Sequence, residues 1–147
     1  MSNPFTVHLV SWQDGEPLLR AIRETVFIKE QGVPPELEWD GHDAACRHVL
    51  VLSEQGKAIG CGRITPHAQI GRVAVLPEWR GKKVGTAILE ALLNYAHSQR
   101  YPLLELNSQT QNVPLYRRFD FSEVGDVFMD ANIPHIKMQL RLPHADS

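Results

Sequence analysis

Val73-Ala74-Val75-Leu76-Pro77-Glu78-Trp79-Arg80-Gly81-Lys82-Lys83-Val84-Gly85-Thr86 reads as a short apolar strand, a proline stop and a basic glycine turn that feeds directly into a helix. Beyond Gly85 the apolar residues Ile88, Ala91, Leu92 and Tyr95 continue from Val84 at helical steps, which predicts a helix to about His97 with its first turn at Lys82 to Thr86. The first N–H groups of a helix lack partners within it and carry the positive end of its dipole, so a phosphate is a natural ligand there. Gly81 and Gly85 clear the backbone of side chains, and Arg80, Lys82 and Lys83 add positive charge. The stretch is therefore an anion cradle. It is not a Walker loop, because Gly85 is followed by Thr86 with no lysine between, and the nearest approach to a dinucleotide fingerprint, Gly60-Cys61-Gly62, lies inside a strand-like run.

Working outward, the 147 residues suit one domain, spanning 1–147, with enough chain to bury a core without disulfides or metal. A net charge of -2, with Arg80 to Lys83 as the basic cluster, argues against a nucleic-acid surface and for a small anionic cofactor. The two cysteines, Cys46 and Cys61, have no metal-type spacing and read as buried thiols in a reducing compartment. Met1 to Pro4 carries no basic-then-apolar leader, and no run approaches the roughly 18 apolar residues of a membrane span. The expectation is a cytoplasmic protein with no membrane partner.

Alternation at Phe5, Val7 and Leu9 predicts a first strand. A helix starts at Asp14 to Pro17, turns Leu18, Leu19, Ile22 and Val26 inward, and ends near Gln31-Gly32. Residues 32–45 lose periodicity and gather Glu36, Glu38, Asp40 and Asp43 between prolines and a glycine. Such a loop either attracts a cationic substrate and shows it Trp39, or is a solvated surface loop. Two strands around Glu54-Gln55-Gly56 form a hairpin, and a third runs from Gln69 to Leu76. After the helix come a strand through Leu104 and Leu106, a short helix over Asn112 to Phe119, a strand over Phe121 to Met129, and a last strand alternating at Ile136, Met138, Leu140 and Leu142. The result is an α/β sandwich, one mixed sheet between helices.

The pattern Val-x-Val-x-Pro-x-x-Arg-Gly-x-x-x-Gly before an amphipathic helix resembles the acetyl-CoA-binding signature of the GNAT N-acetyltransferase superfamily. The usual Arg/Gln-x-x-Gly-x-Gly/Ala places Arg80 and Gly85 and puts Lys83 where the first glycine stands. The element order is also that of the GNAT fold, whose sheet is mixed and mostly antiparallel. Leu115-Tyr116 to Asp120-Phe121 resembles the second signature, Leu-Tyr-x-x-x-Gly-Phe, with Asp120 in place of glycine. The resemblance implies acetyl-CoA as cosubstrate, its pyrophosphate on Arg80, Gly81, Lys82, Lys83, Val84, Gly85 and Thr86, and its pantetheine on the backbone of Val73, Ala74 and Val75, where the strand splays from its neighbour. It implies Tyr116 as the acid that protonates the leaving thiolate, which a phenol can do because its pKa lies above that of a thiol. Gln109 stands at the position of a CoA-contacting asparagine, and Asn112 is an alternative contact.

Val26 to Gln31, Cys46-Arg47-His48 and Ile133-Pro134-His135 together resemble the ElaA-like branch, whose substrate is undefined. An acceptor amine is protonated at neutral pH and must lose a proton before attack. Glu30, His48 and Glu105 are the candidate bases, each with a structural alternative as an ordinary polar partner. Glu30, Gln31, Trp39, His48, Arg63 and His135 are the candidate acceptor-pocket residues. Asp40, His42, Asp43 and His48 fit no standard ligand spacing, and no metal is expected. The expected function is transfer of acetyl from acetyl-CoA to a small-molecule or peptide amine by direct attack in a ternary complex. Two alternatives stand beside it, a non-catalytic CoA-binding sensor and a transferase of longer acyl groups. A homodimer through the last strands is left open, since Lys137 and Arg141 suit an exposed face equally.

Overall fold

The computed structural model describes residues 4–143, so Met1 to Asn3, and with them most of the leader expectation, lie outside the described residues. The chain runs β1 (Phe5–Val10), α1 (Trp12–Arg23), a wide-turned π segment (Glu24–Glu30), α2 (Pro35–Glu38), β2 (Arg47–Ser53), β3 (Ala58–Ile64), β4 (Gln69–Val75), α3 (Val84–Ser98), β5 (Leu103–Gln109), α4 (Val113–Arg117), β6 (Ser122–Asp130) and β7 (Ile133–Arg141). Seven strands form one sheet in the order β1-β2-β3-β4-β5-β7-β6. Neighbours are antiparallel except β4 and β5, which run parallel because α3 carries the chain back between them. The sheet is thus mixed and mostly antiparallel, as expected.

The core lies where α1 and α3 meet β2 to β5, with Leu19, Ile22, Val49, Ile59, Ile88, Leu92, Leu104 and Met138 buried in it. Every residue of β3 is buried. Its two glycines set how close α3 comes: a Cβ on Gly60 would stand 2.7 Å from Val84 Cγ1, and one on Gly62 would stand 2.8 Å from Ile88 Cγ2. Gly60-Cys61-Gly62 therefore seats the helix that opens the cradle.

Element boundaries shift from expectation where side chains cap them. The first helix begins at Trp12 because Ser11 Oγ accepts from the Asp14 N–H at 3.1 Å. It then widens into the π segment rather than remaining α-helical to Gln31. The larger correction is the acidic loop. It is solvated along much of its length but is not a free negative field, because Glu38 and Asp43 are buried while Glu36 stays exposed. Arg23 donates to Glu38 at 2.7 Å and to Asp43 at 2.6 Å, Arg63 donates to Asp43 at 2.8 Å and to Asp40 at 2.5 Å, and Arg72 donates to Asp40 at 3.3 Å. Burial of a carboxylate requires such pairing.

Candidate active site

β4 and β5 pair only at Gln69↔Glu105 and Ile70↔Leu106, then part. The parting begins at a bulge, where β4 fits one extra residue against β3 between Cys61 and Arg63, and Arg72 takes the left-handed φ of 53° that this requires. The expected splay of Val73 to Val75 from β5 is present. An extended ligand can hydrogen-bond to a strand edge released in this way. One group is already engaged, since Arg80 Nε donates to the Val75 carbonyl at 3.0 Å.

At the end of β4, Pro77–Trp79 make one tight turn, Gly81 takes φ 76°, and Lys83 takes φ 69° immediately before α3. The helix starts at Val84, two residues later than the spacing predicts, because Lys83 occupies the left-handed region and cannot continue it. No side chain caps this N-terminus. Its leading N–H groups have no side-chain partner, and the Lys82 ammonium lies 5.3 Å from the Trp79 ring centroid. A Cβ at Gly85 would make only ordinary contact, its nearest atom being Leu115 Cδ2 at 3.5 Å. Arg80 turns away from the helix end and clasps Glu30, Nη1 to Oε2 and Nη2 to Oε1 each at 2.7 Å.

Beside the splay lies a cavity of about 370 Å³. Its β4–β5 wall is Gly71, Val73, Leu106, Asn107 and Gln109, with Asn112 and Tyr116 from the α4 side, and its far wall is Phe27, Gln31 and Leu37. The hairpin joining β6 to β7 closes it with Asp130, Ala131, Ile133 and His135, and Glu38, Asp40, Arg63 and Arg72 of the ion network form its polar floor. Gln31 and Gln109 meet across it, Nε2 of Gln109 donating to Oε1 of Gln31 at 2.8 Å.

The cavity thus brings together Gln31, Arg63, Val73, Gln109, Asn112, Tyr116 and His135 of the expected residues. It does not take in Glu30, Trp39, His48 or Glu105. His48 is buried on β2, packed on Trp12 at a ring separation of 5.3 Å, with its Nε2 bonded to the Asp43 carbonyl at 2.9 Å. Burial pulls its pKa down. Trp39 packs on guanidinium groups, Arg20 and Arg23 both 4.9 Å from its centroid. The Arg80 hydrogen bonds hold the Glu30 carboxyl below its usual pKa, which weakens it as a base. Glu105 accepts from Gln139 at 2.7 Å and faces Lys137 at 3.7 Å, on the part of β5 still paired with β4. Arg80 to Thr86, the residues expected to hold a pyrophosphate, lie outside the cavity lining.

Sequence reasoning passed over Phe27, Arg72, Asn107 and Asp130 as site residues. Arg72 gave no signal, since a bulge is not written in its strand. Asp130-Ala131-Asn132 is a turn-forming sequence between two strands, and it could have placed Asp130 at a loop tip.

Tyr116 lies on α4, buried, with its ring edge-on to Phe121 at 6.0 Å. Burial pushes its phenol pKa up, so it holds its proton at neutral pH. A splayed parallel pair, an uncapped glycine turn at the next helix and a buried tyrosine on the opposite side form one constellation, and a GNAT acetyltransferase domain model matches residues 21–142 of this sequence. The chain belongs to the GNAT acetyltransferase family. It is an acyl-CoA N-acyltransferase by that membership. The uncharacterized N-acetyltransferase YjcF of Bacillus subtilis is 36% identical over 121 residues, covering 80% of this chain and 86% of that protein. Among solved structures, Escherichia coli ElaA superposes with a TM-score of 0.83 at 26% identity, covering 92% of this chain and 98% of that one. An acyl-CoA N-acyltransferase from Pseudomonas aeruginosa gives 0.79 at 26%, covering 94% and 99%. A GNAT acetyltransferase from Elizabethkingia anophelis with acetyl-CoA bound, at 15% identity and a TM-score of 0.70 over 96% of this chain and 100% of that one, shares the fold.

Proposed function

We propose that this GNAT protein transfers an acetyl group from acetyl-CoA to a primary amine by direct attack within a ternary complex. The observation that carries the reading is the parting of β4 from β5 beside a cavity lined by Tyr116. The chain's own features fit the cosubstrate. The uncapped turn at Val84, Gly85 and Thr86, with Lys82 and Lys83 beside it, suits a pyrophosphate, and the released edge at Gly71 to Val75 suits the amides of a pantetheine. Bound there, acetyl-CoA supplies an acetyl group already activated as a thioester.

The protein supplies the rest. Tyr116 Oη keeps a proton to give to a departing thiolate, and the cavity walls orient the amine and displace water. Direct attack is favoured over a cysteine relay because neither Cys46 nor Cys61 lines the cavity, and burial pushes both thiols up, Cys61 to about 12. The acceptor we assign is cationic. The loop carboxylates of Glu38, Asp40 and Asp43 are matched by Arg23, Arg63 and Arg72, whereas Asp130, at the cavity rim, has no ion-pair partner among the described residues. The two unpaired, buried cysteines support the cytoplasm as the place of reaction. Among the described residues no helix is long and apolar enough to cross a membrane, and no His, Cys, Asp or Glu group is arranged to hold a metal ion.

The test is the thermal midpoint with acetyl-CoA, CoA and ATP titrated separately, followed by thiol release with a panel of primary amines. A rise with acetyl-CoA and thiol release with at least one amine are expected. A rise with ATP and with neither CoA species would overturn the reading, and a rise with acetyl-CoA but no turnover with any amine would turn it into that of a CoA-binding sensor.

A further inference from the structure

His135 opens β7 and stands opposite Gln109 of β5 on one side and Phe128 of β6 on the other. Phe128 stacks on its ring, centroids 5.9 Å apart and planes at 24°. Nδ1 lies 2.7 Å from the Ile133 carbonyl oxygen. A carbonyl can only accept, so Nδ1 carries the hydrogen, and in the neutral ring Nε2 is then the nitrogen with the free lone pair. No described group hydrogen-bonds Nε2, and the half-buried residue lines the cavity that Tyr116 also lines. The backbone of the hairpin thus fixes the tautomer, and the stacked phenyl fixes the plane.

The geometry points to His135 as the general base that takes the proton from the acceptor ammonium. This rests on the transferase reading above. The N–H bond of the ammonium breaks, its electron pair stays on the nitrogen as the nucleophile, and the proton goes to Nε2, which later returns it to water. The other basic groups are less suited. Asp40 and Glu38 are committed to arginines, Glu30 is clasped by Arg80 outside the cavity, and His48 is buried away from it. His42 lines the cavity, but its ring is exposed and makes no described hydrogen bond. The charges that share the cavity with His135 are Glu38, Asp40, Asp130, Arg63 and Arg72.

Two measurements test the assignment. Nitrogen-15 NMR of the labelled full chain, with the His135 ring assigned by its absence in His135→Gln, should show the hydrogen on Nδ1 in the neutral ring. A hydrogen on Nε2 overturns the proposal without any assay. Then kcat/KM for a turned-over amine is followed against pH for wild type and H135Q, with the thermal midpoint and its acetyl-CoA shift as controls for folding and cosubstrate binding. The expected result is an acid-side inflection in wild type that is absent in H135Q, a kcat lower by about 10²–10⁴-fold, and an unchanged acetyl-CoA shift. An H135Q enzyme with the wild-type rate and inflection overturns the base while leaving the transferase intact. A wild type that binds acetyl-CoA but acetylates no amine overturns both.

Discussion

At the scale of single residues, two side chains carry distinct and separable demands. Tyr116 is buried and holds its proton, and general acid catalysis of this kind contributes about 10²–10⁴-fold. Tyr116→Phe should therefore lower kcat by about 10²-fold or more while the acetyl-CoA-induced midpoint shift persists. Turnover unchanged by this substitution would assign the proton to water instead. Lys83 pays a conformational cost, since a non-glycine residue in the left-handed region costs about 1–2 kcal/mol, against about 0.5–1 kcal/mol for the backbone entropy of glycine. Lys83→Gly should raise stability by about 0.5–1 kcal/mol in urea titration. If lysine is kept for its charge, the same variant binds acetyl-CoA more weakly, and that loss shrinks with added salt.

At the scale of elements, the placement of α3 decides whether the cradle exists. The helix rests on the glycines of β3, with a built Cβ on Gly62 only 2.8 Å from Ile88 Cγ2 and 3.1 Å from Leu92 Cδ1. Gly62→Ala must push these core side chains or the whole helix outward, and overpacking of this kind costs about 1–3 kcal/mol. The expected outcome is a lower urea midpoint together with weaker acetyl-CoA binding, because the N-terminus of α3 moves with its body. A loss of stability with binding unchanged would show that the helix yields locally at Ile88 and leaves the turn in place. On the facing side, the pair Glu30–Arg80 ties the π segment, which carries Phe27, to the turn before α3.

At the scale of the molecule, Arg23, Arg63 and Arg72 with Glu38, Asp40 and Asp43 join α1, α2, the loop before β2, β3 and β4 beneath the cavity. Removing one member leaves its partners buried and uncompensated, so Asp43→Asn should cost about 3–5 kcal/mol. The acid limb of stability has a sign fixed by the same groups. Burial pushes the Asp43 and Asp40 carboxyls up, but the hydrogen bonds and charges of their arginines outweigh it and leave both below their ordinary value. A carboxyl held below its unfolded pKa contributes stability that is present above that pKa and lost as pH falls through the folded one. Glu38 runs the other way, since burial raises it above its ordinary value, and its protonation on acidification favours the folded state. Urea midpoints of wild type should therefore fall below about pH 4, and Asp43→Asn should flatten that limb.

The sequence by itself determined what short-range chemistry can encode. The period of the strands and of α3, the proline stop and glycine turn at Pro77 to Gly85, and the tyrosine of α4 are local patterns, and they suffice for the fold and for the proposal of an anion site before α3. Tertiary structure alone decided the sharing of charge. Residues 32–45 look like a free acidic loop because Arg23, Arg63 and Arg72, which neutralise it, come from α1, β3 and β4. His48 and His135 are indistinguishable as letters, yet packing buries one beneath Trp12 and sets the other at the cavity wall. A hydrogen bond to a carbonyl two residues away, together with a phenyl from the next strand, then decides which ring nitrogen of His135 is the base, and only the hairpin brings the two to the same ring.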